Sequence, residues 1–314
     1  MDNEQDKMKE IVVIGGGEGT KTVLSAFKDA TAIVGVTDNG RSTGRIRRMF
    51  NIPAVGDIRN CFSAYGDEMG ELFNERFRIE ELHGIALGNL VIAVLAENYG
   101  FEAAIEKLNR IFKSRIIPVS LGNTHICAEL SDGLIVQGET NVRALNKSSI
   151  KRVFLREETI ANQKAIDAIE KADFIIFGPG SLYVSVMSCL LFKGITAAIN
   201  GSKAKKIFIC NTTVQPGQTD NYKVIDHIRK IKEYANIDYV LVNGKEIGKD
   251  VSEKLEKEGI KQILPDEEYG PDVIVADLIE ESSEKQLYDK QDTIRHDPKK
   301  LYIEINKIMD IQPK

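Results

Sequence analysis

The sequence Ile11-Val12-Val13-Ile14-Gly15-Gly16-Gly17-Glu18-Gly19-Thr20 is an apolar strand that runs directly into a glycine-rich turn. Glycines after a buried strand let the backbone approach a ligand closely, and the start of the next helix presents unpaired N–H groups to an anion. The segment therefore predicts a phosphate-binding turn formed by Gly15, Gly16, Gly17, Gly19 and Thr20. It departs from a dinucleotide fingerprint, because Thr20 stands at the third glycine of that motif, and it lacks the Lys-Ser/Thr pair of a P-loop.

Short apolar runs recur along the chain, several of them followed by a turn residue and then a helical pattern. Runs that are apolar at every position, such as Phe174–Phe177, need cover on both faces of a sheet. This pattern predicts an α/β fold with a Rossmann-like, doubly wound, mainly parallel sheet. The turn at Ser131–Gly133 adds a small antiparallel hairpin over 126–137. The predicted strands are 11–14, 32–36, 116–119, 174–177, 207–210, 239–242 and 273–275, and the predicted helices are 20–28, 86–97, 101–112, 160–171, 181–192, 220–234 and 250–258.

The chain shows no repeat, low-complexity tract or linker that would divide it. We therefore expect a disordered leader at 1–10 and a single Rossmann-like domain over 11–314. The charged stretch 279–294 is predicted to be a solvated segment or a surface helix.

Composition narrows the classes of function. Acidic residues outnumber basic ones by 47 to 42, so no global positive field would attract nucleic acid. Four scattered cysteines without a CxxC pair predict a reducing compartment and no structural zinc or other tightly bound metal. The chain has no signal peptide and no run of 18 apolar residues, so we expect a cytoplasmic protein without membrane insertion. No G-x-S-x-G motif supports hydrolysis through an acyl-enzyme.

An arginine-rich loop, Asp38-Asn39-Gly40-Arg41-Ser42-Thr43-Gly44-Arg45, follows the second predicted strand. Asp38 stands where a Rossmann acid meets a ribose hydroxyl. Guanidinium groups bind phosphate oxygens in a bidentate way, so Arg41, Arg45 and Arg59 are candidate phosphate ligands. For Arg47 and Arg48, a solvated helix face is at least as good an explanation. Replacing Arg45 with Ala is predicted to weaken a diphosphate ligand by about 1–3 kcal/mol.

A second glycine turn, Gly178-Pro179-Gly180-Ser181, also follows an apolar strand and precedes a helix. Its N–H groups could form another anion-binding nest, although an ordinary strand–helix connection would look similar. Two such turns at the carboxyl ends of one sheet can face a single crevice. Asn211 and Thr212 follow a further strand and offer neutral donors and acceptors for a sugar or a base. His83 is either a proton carrier or a helix cap, and His125 is expected to be a core or surface histidine.

Taken together, these motifs resemble the gluconeogenesis-factor or YvcK-like proteins, the sister group of the CofD 2-phospho-L-lactate transferases of deazaflavin coenzyme synthesis. The hexapeptide Gly56-Asp-Ile-Arg-Asn-Cys61 and the loop Ser42-Thr-Gly-Arg45 favour the YvcK-like branch. Other matching segments are Ile11–Gly17, Val36–Asp38, Leu87–Leu90, Gly178–Tyr183, Gln215–Gly217 and Arg295–Pro298.

The resemblance implies a protein that binds a nucleotide-sugar such as a UDP-sugar and supports gluconeogenic growth, cell shape or the regulation of cell-wall precursors. It implies a diphosphate laid across Gly15–Gly19 and Gly178–Ser181, with Asp38 and Asn211 near the sugar or second ligand. Further candidate ligand contacts are Asn39, Ser42, Arg45, Asn60, Asn89 and Thr212. The chain departs from the family pattern at Glu18, Asn39 and Arg41, and the loss of a second Asp at 39 weakens any Mg²⁺ site at Asp38.

The same resemblance leaves open the alternative that the protein is an enzyme and not only a binding protein. A transferase of the 2-phospho-L-lactate type would move a phospholactyl group from a guanylylated donor to a deazaflavin, with Asp38, Arg45 and Arg59 as catalytic candidates and Mg²⁺ at Asp38. An NAD-dependent oxidoreductase ranks last, because no proton donor beside a nicotinamide pocket can be located. The base, the sugar, a homodimer and a regulatory protein partner all remain open at this stage.

Overall fold

The computed structural model describes residues 9–66, 68–267, 269–281 and 294–311. Residues 1–8 of the predicted leader at 1–10, and residues 282–293 of the charged stretch at 279–294, lie outside the described residues. The strands are β1 (Ile11–Gly15), β2 (Thr31–Val34), β3 (Ile116–Pro118), β4 (Ile126–Leu130), β5 (Ile135–Gln137), β6 (Ile150–Leu155), β7 (Phe174–Phe177), β8 (Lys205–Ile209), β9 (Tyr239–Asn243) and β10 (Val273–Ala276).

The helices cover the sheet and connect its strands. They are α1 (Gly17–Ala26), α2 (Arg41–Phe50), α3 (Gly56–Phe62), α4 (Glu68–Asn74), α5 (Leu87–Tyr99), α6 (Phe101–Phe112), α7 (Glu139–Val142), α8 (Gln163–Lys171), a π-helical turn (Leu182–Met187), α9 (Ser188–Leu190), α10 (Ile195–Gly201), α11 (Val224–Lys232), α12 (Lys249–Lys257) and α13 (Pro298–Met309). A 3₁₀ turn spans Glu80–Leu82. Of the helices in the described ranges, none is both long and apolar enough to cross a bilayer.

The central sheet has seven strands in the order β10-β9-β8-β7-β1-β2-β3, and every pairing is parallel. This confirms the predicted doubly wound α/β fold. The chain moves from β1 through β2 to β3 on one side, and later returns to β7 on the other side of β1. Ligands of such sheets bind where the strand order reverses, beyond the carboxyl ends of the strands. The reversal here lies between β1 and β7.

The apolar runs became strands because both faces of the sheet are covered. Val13, Ile14, Ile175 and Ile176 are fully buried. Burial on both faces requires apolar side chains at successive positions, which is why the runs do not alternate with polar residues.

The antiparallel excursion was predicted as a hairpin and is a three-stranded sheet in the order β5-β4-β6. The third strand, β6, was missed because Lys151 and Arg152 interrupt its apolar pattern. Both side chains pair with Glu129 on β4, at 2.6 Å in each case. These cross-strand ion pairs explain why a strand here contains charged residues that, in the sequence alone, are typical of a loop.

The carboxyl-terminal helix α13 is a second element that was not predicted. Asp297 caps it by accepting hydrogen bonds from the N–H groups of Lys299 and Lys300, and Pro298 occupies its first turn. This Asp-Pro pair is a recognisable start signal. The helix packs on α1, next to the first glycine turn.

Candidate functional site

The two glycine turns lie against each other at the reversal point. Gly178 donates a backbone hydrogen bond to Ile14 at 3.0 Å, and a Cβ placed on Gly180 would lie 3.6 Å from the Gly16 carbonyl oxygen. A Cβ on Gly19 would collide with the Pro179 carbonyl. Both turns line one open cleft of about 800 Å³. The expected convergence of the two turns on a single crevice is therefore present in the structure.

Among the described residues, five carboxylates line this cleft: Asp38, Asp57, Glu139, Glu18 and Glu280. Burial, together with the charge of Asp38, raises the pKa of Asp57 to about 7. Burial and the charges of Asp38 and Asp57 raise the pKa of Glu139 well above its ordinary value. Sequence reasoning pointed to Asp38 alone. The carboxylate of Asp57 lies directly beside the first glycine turn, close enough to collide with a Cβ on Gly16.

Among the described residues, four arginines line the same cleft: Arg59, Arg76, Arg143 and Arg295. Arg59 is 6% exposed, and burial followed by the charge of Arg76 lowers its pKa. Its guanidinium donates to Asn74, whereas its Nε has no partner. The repulsion of Arg59 by the charge of Arg76 is an arrangement that an anion between the two guanidinium groups would stabilise.

Two residues that line the cleft have a buried polar atom without a hydrogen-bond partner in the described part of the chain, Arg59 Nε and His296 Nε2. Two further atoms without a partner, Thr20 Oγ1 and Asn89 Oδ1, belong to buried residues that do not line it. Buried polar groups are nearly always hydrogen-bonded, and exceptions call for a ligand or a bound water. The two atoms in the cleft lining are therefore available to a ligand.

Uncharged side chains brace the second glycine turn on the β8 side of the cleft. Asn211 Nδ2 donates to the Gly180 carbonyl at 2.8 Å, and Ser181 Oγ donates to Gln218 Oε1 at 2.9 Å. These bonds brace the second glycine turn. Burial lowers the pKa of His296 to about 4, so this imidazole is uncharged at neutral pH.

Most of the predicted ligand-binding residues line the cleft. Those that do are Gly16, Gly17, Gly19, Asp38, Ser42, Arg59, Asn60, Gly180, Ser181, Asn211 and Thr212. Gly15 and Gly178 lie beneath the turns and allow them to approach each other, and Thr20 is fully buried below Gly15.

Three predicted residues are not brought into the cleft. Arg45 donates to the backbone carbonyls of Glu81 and His83, at 2.8 and 3.0 Å, and so fastens the turn before α5. Asn39 accepts hydrogen bonds from Thr140 of α7. Asn89 is buried and donates to Ser42 at 3.2 Å. The side chain of Arg41 lies outside the described part of the structure.

Several cleft residues were missed from the sequence. Arg76 precedes the 3₁₀ turn, and Glu139 and Arg143 come from the segment after β5. Glu139 and Arg143 form an ion pair at 3.2 Å, spaced four residues apart. Such a pair is common on any exposed helix and does not by itself signal a site.

Comparisons with known proteins agree with this architecture. The family model described as 2-phospho-L-lactate transferase CofD matches residues 11–287. The chain is 39% identical to a protein of Thermotoga maritima, covering 95% of this chain and 99% of the relative. It is 34% identical to the gluconeogenesis factor of Bacillus subtilis, covering 93% of this chain and 95% of the relative. A crystal structure of a Bacillus halodurans protein superposes with a TM-score of 0.87 at 35% identity, covering 95% of this chain and 99% of that one.

Proposed function

The chain belongs to the CofD family, and from that premise we propose that it is a nucleotide-sugar binding protein of the gluconeogenesis-factor type. The observation that carries the proposal is the meeting of two glycine turns in one cleft, where buried polar atoms lack partners. Since relatives of similar length bear the name gluconeogenesis factor, the proposal includes a role in gluconeogenic growth, with effects on cell shape or cell-wall precursors.

A diphosphate fits the cleft as follows. The N–H groups that open α1 would bind one phosphate against Gly16–Gly19, helped by the positive end of the helix dipole. Arg59 and Arg76 would neutralise the remaining charge. Asn211 and Thr212, on the β8 side, would face the sugar or the base, because their amide and hydroxyl groups can exchange hydrogen bonds without bringing in charge.

Mg²⁺ is compatible with this arrangement as a bridging ion. It prefers oxygen ligands and commonly uses one or two carboxylates together with substrate phosphates. Asp38 and Asp57 would hold it, and Asp38 Oδ1 already accepts the Gly40 N–H at 2.7 Å. No group of three His, Cys, Asp or Glu side chains within the described ranges is arranged to hold a metal. The ion would therefore enter together with the phosphorylated ligand.

Calorimetric titration of the purified protein with UDP-N-acetylglucosamine, UDP-glucose and GDP tests the proposal. Gly19→Ala forces a Cβ into the Pro179 carbonyl and should weaken the UDP-sugar by about tenfold or more. Gly201→Ala is the matched control, because a Cβ there meets nothing within 4 Å. Arg76→Gln provides a second variant that leaves the turns unstrained. If the wild-type protein binds no UDP-sugar at millimolar concentration, the proposal fails.

A phospholactyl transferase is the second candidate, and it is supported by the near-neutral pKa of Asp57 beside the anion-binding turn. A carboxyl that titrates near the working pH can accept a proton from an attacking hydroxyl. The acceptor oxygen would bond to the phospholactyl phosphorus as the bond to GMP breaks. Incubation with guanylylated phospholactate, a deazaflavin acceptor and Mg²⁺ tests this function. Release of GMP that depends on the acceptor would favour it over binding alone.

A further inference from the structure

A smaller pocket of about 320 Å³ lies beside the Asp38–Gly40 loop and shares no lining residue with the cleft. It is lined by Asn39, Gly44, Arg47, Arg48, Asn51, Asn123 and His125. Two of these residues are arginines, and none is acidic. In a chain with a net charge of −5, such a pocket is an exception that needs an explanation.

The side-chain amide oxygens of the pocket already accept hydrogen bonds from other residues of the protein. Asn39 Oδ1 accepts the N–H of Thr140 at 3.0 Å, and Asn51 Oδ1 accepts from Asn123 Nδ2 at 3.2 Å. Asn123 Oδ1 accepts from Arg47 Nη2 at 2.6 Å. Since each amide oxygen is used internally, these side chains offer a ligand mainly their N–H groups.

The Nδ1 of His125 lies 3.4 Å from Arg47 Nη1. Because a guanidinium carries hydrogens and no acceptor, this neighbour favours a lone pair rather than a proton on Nδ1. Burial and the charge of Arg47 lower the pKa of His125, which keeps the ring neutral with its remaining proton on Nε2. The Nε2 of His125 therefore carries a proton and can only donate a hydrogen bond to a ligand.

The two arginines play different parts. Arg47 is 4% exposed and is held by the carbonyls of Thr37, Asp38 and Thr124, which fixes its charge at the base of the pocket. Arg48 is exposed and makes no hydrogen bond or ion pair with any residue in the described ranges. Its guanidinium reaches back over Gly44, 3.5 Å from where a Cβ would stand. It is the group free to bind a ligand.

We infer that this pocket is a second anion-binding site, which takes a small phosphorylated or carboxylated metabolite through Arg48, the Nε2–H of His125 and the amide N–H groups. Donors without acceptors, together with positive charge, match an oxyanion, which carries only acceptors. The pocket has room for more than the bare ion. Because Arg47 also holds the carbonyls of Thr37 and Asp38, the anion would sit against the same guanidinium that supports the Asp38 loop.

Imidazole NMR resonances can report on this pocket separately from the cleft. The chain has four histidines, of which His125 lines the pocket and His296 lines the cleft. The His125 signal is assigned by its loss in His125→Asn. Inorganic phosphate and malonate are titrated separately, which distinguishes a phosphate site from a carboxylate site. A saturable shift of the His125 signal is expected with at least one of the two.

Two variants make the test specific. Arg48→Gln should weaken the anion at His125 by about tenfold or more, and Asn51→Asp should abolish binding by placing a carboxylate in the pocket. Arg110→Gln, at an exposed arginine of α6, is the matched control and should titrate as the wild type does. The inference is overturned if His125 does not respond to either anion, or if Arg48→Gln and Arg110→Gln titrate alike. Failure of UDP-sugar binding would appear at His296 and would leave this result unaffected.

Discussion

Replacing Asp57 with Asn should stabilise the protein, and the gain should grow as the pH rises. The ordinary pKa of the carboxyl is 3.8, and burial together with Asp38 raises it to about 7 in the folded protein. Each pKa unit corresponds to about 1.36 kcal/mol, so ionised Asp57 costs the folded state roughly 4 kcal/mol. Asn has nearly the same shape and carries no charge at any pH.

The direction in which the free energy of unfolding changes with pH follows from proton binding. Between the two pKa values the folded protein holds a proton on Asp57 that the unfolded chain has lost, so the wild-type free energy of unfolding falls as pH rises. Above about pH 7 both states are ionised and the difference levels off. The advantage of Asp57→Asn should therefore increase by about 2–3 kcal/mol between pH 5 and pH 8. Glu139 adds to the gain, because Asp57 raises its pKa as well.

Urea unfolding at a series of pH values measures this difference directly. Asp29→Asn, at an exposed aspartate in the turn before β2, is the matched control and should change stability little at any pH. A stabilisation by Asp57→Asn that does not vary with pH would refute the electrostatic argument. A loss of stability at pH 8 would show that the carboxylate is needed for structure.

Further predictions concern the cleft and its supports. In Mg²⁺-free buffer, UDP-sugar affinity measured by calorimetry should fall as pH rises through about 7, because ionised Asp57 repels a phosphate at the first glycine turn; a flat profile would contradict this. Arg45→Ala should leave UDP-sugar affinity unchanged and lower the free energy of unfolding by about 1 kcal/mol, since the Arg45 guanidinium donates to backbone carbonyls outside the cleft. A loss of affinity would instead support the diphosphate-binding role predicted from the sequence. Arg47→Met should lower the free energy of unfolding by about 3–5 kcal/mol, because buried carbonyls of two loops lose their donors; a near-neutral effect in urea unfolding would count against its bracing role.

Elements that depend on local pattern were predicted well. Helix α6 was predicted at 101–112 and spans Phe101–Phe112, because its apolar face repeats with helical spacing. The segment 181–192 was predicted as one helix but begins as a π-helical turn over Leu182–Met187. Packing of that buried segment beside the sheet, and not its own propensity, selects the wider turn.

The sequence alone determined the parallel sheet and the two glycine turns, because runs of buried apolar residues and the need for close backbone approach are properties of neighbouring positions. Only the tertiary structure decided which side chains face the cleft. Arg45 is directed to carbonyls some 36 to 38 residues away, whereas Arg143 enters the cleft from the end of α7. The protonation of Asp57 was likewise beyond the sequence, since it depends on burial and on the distance to Asp38, and both arise only when distant segments meet.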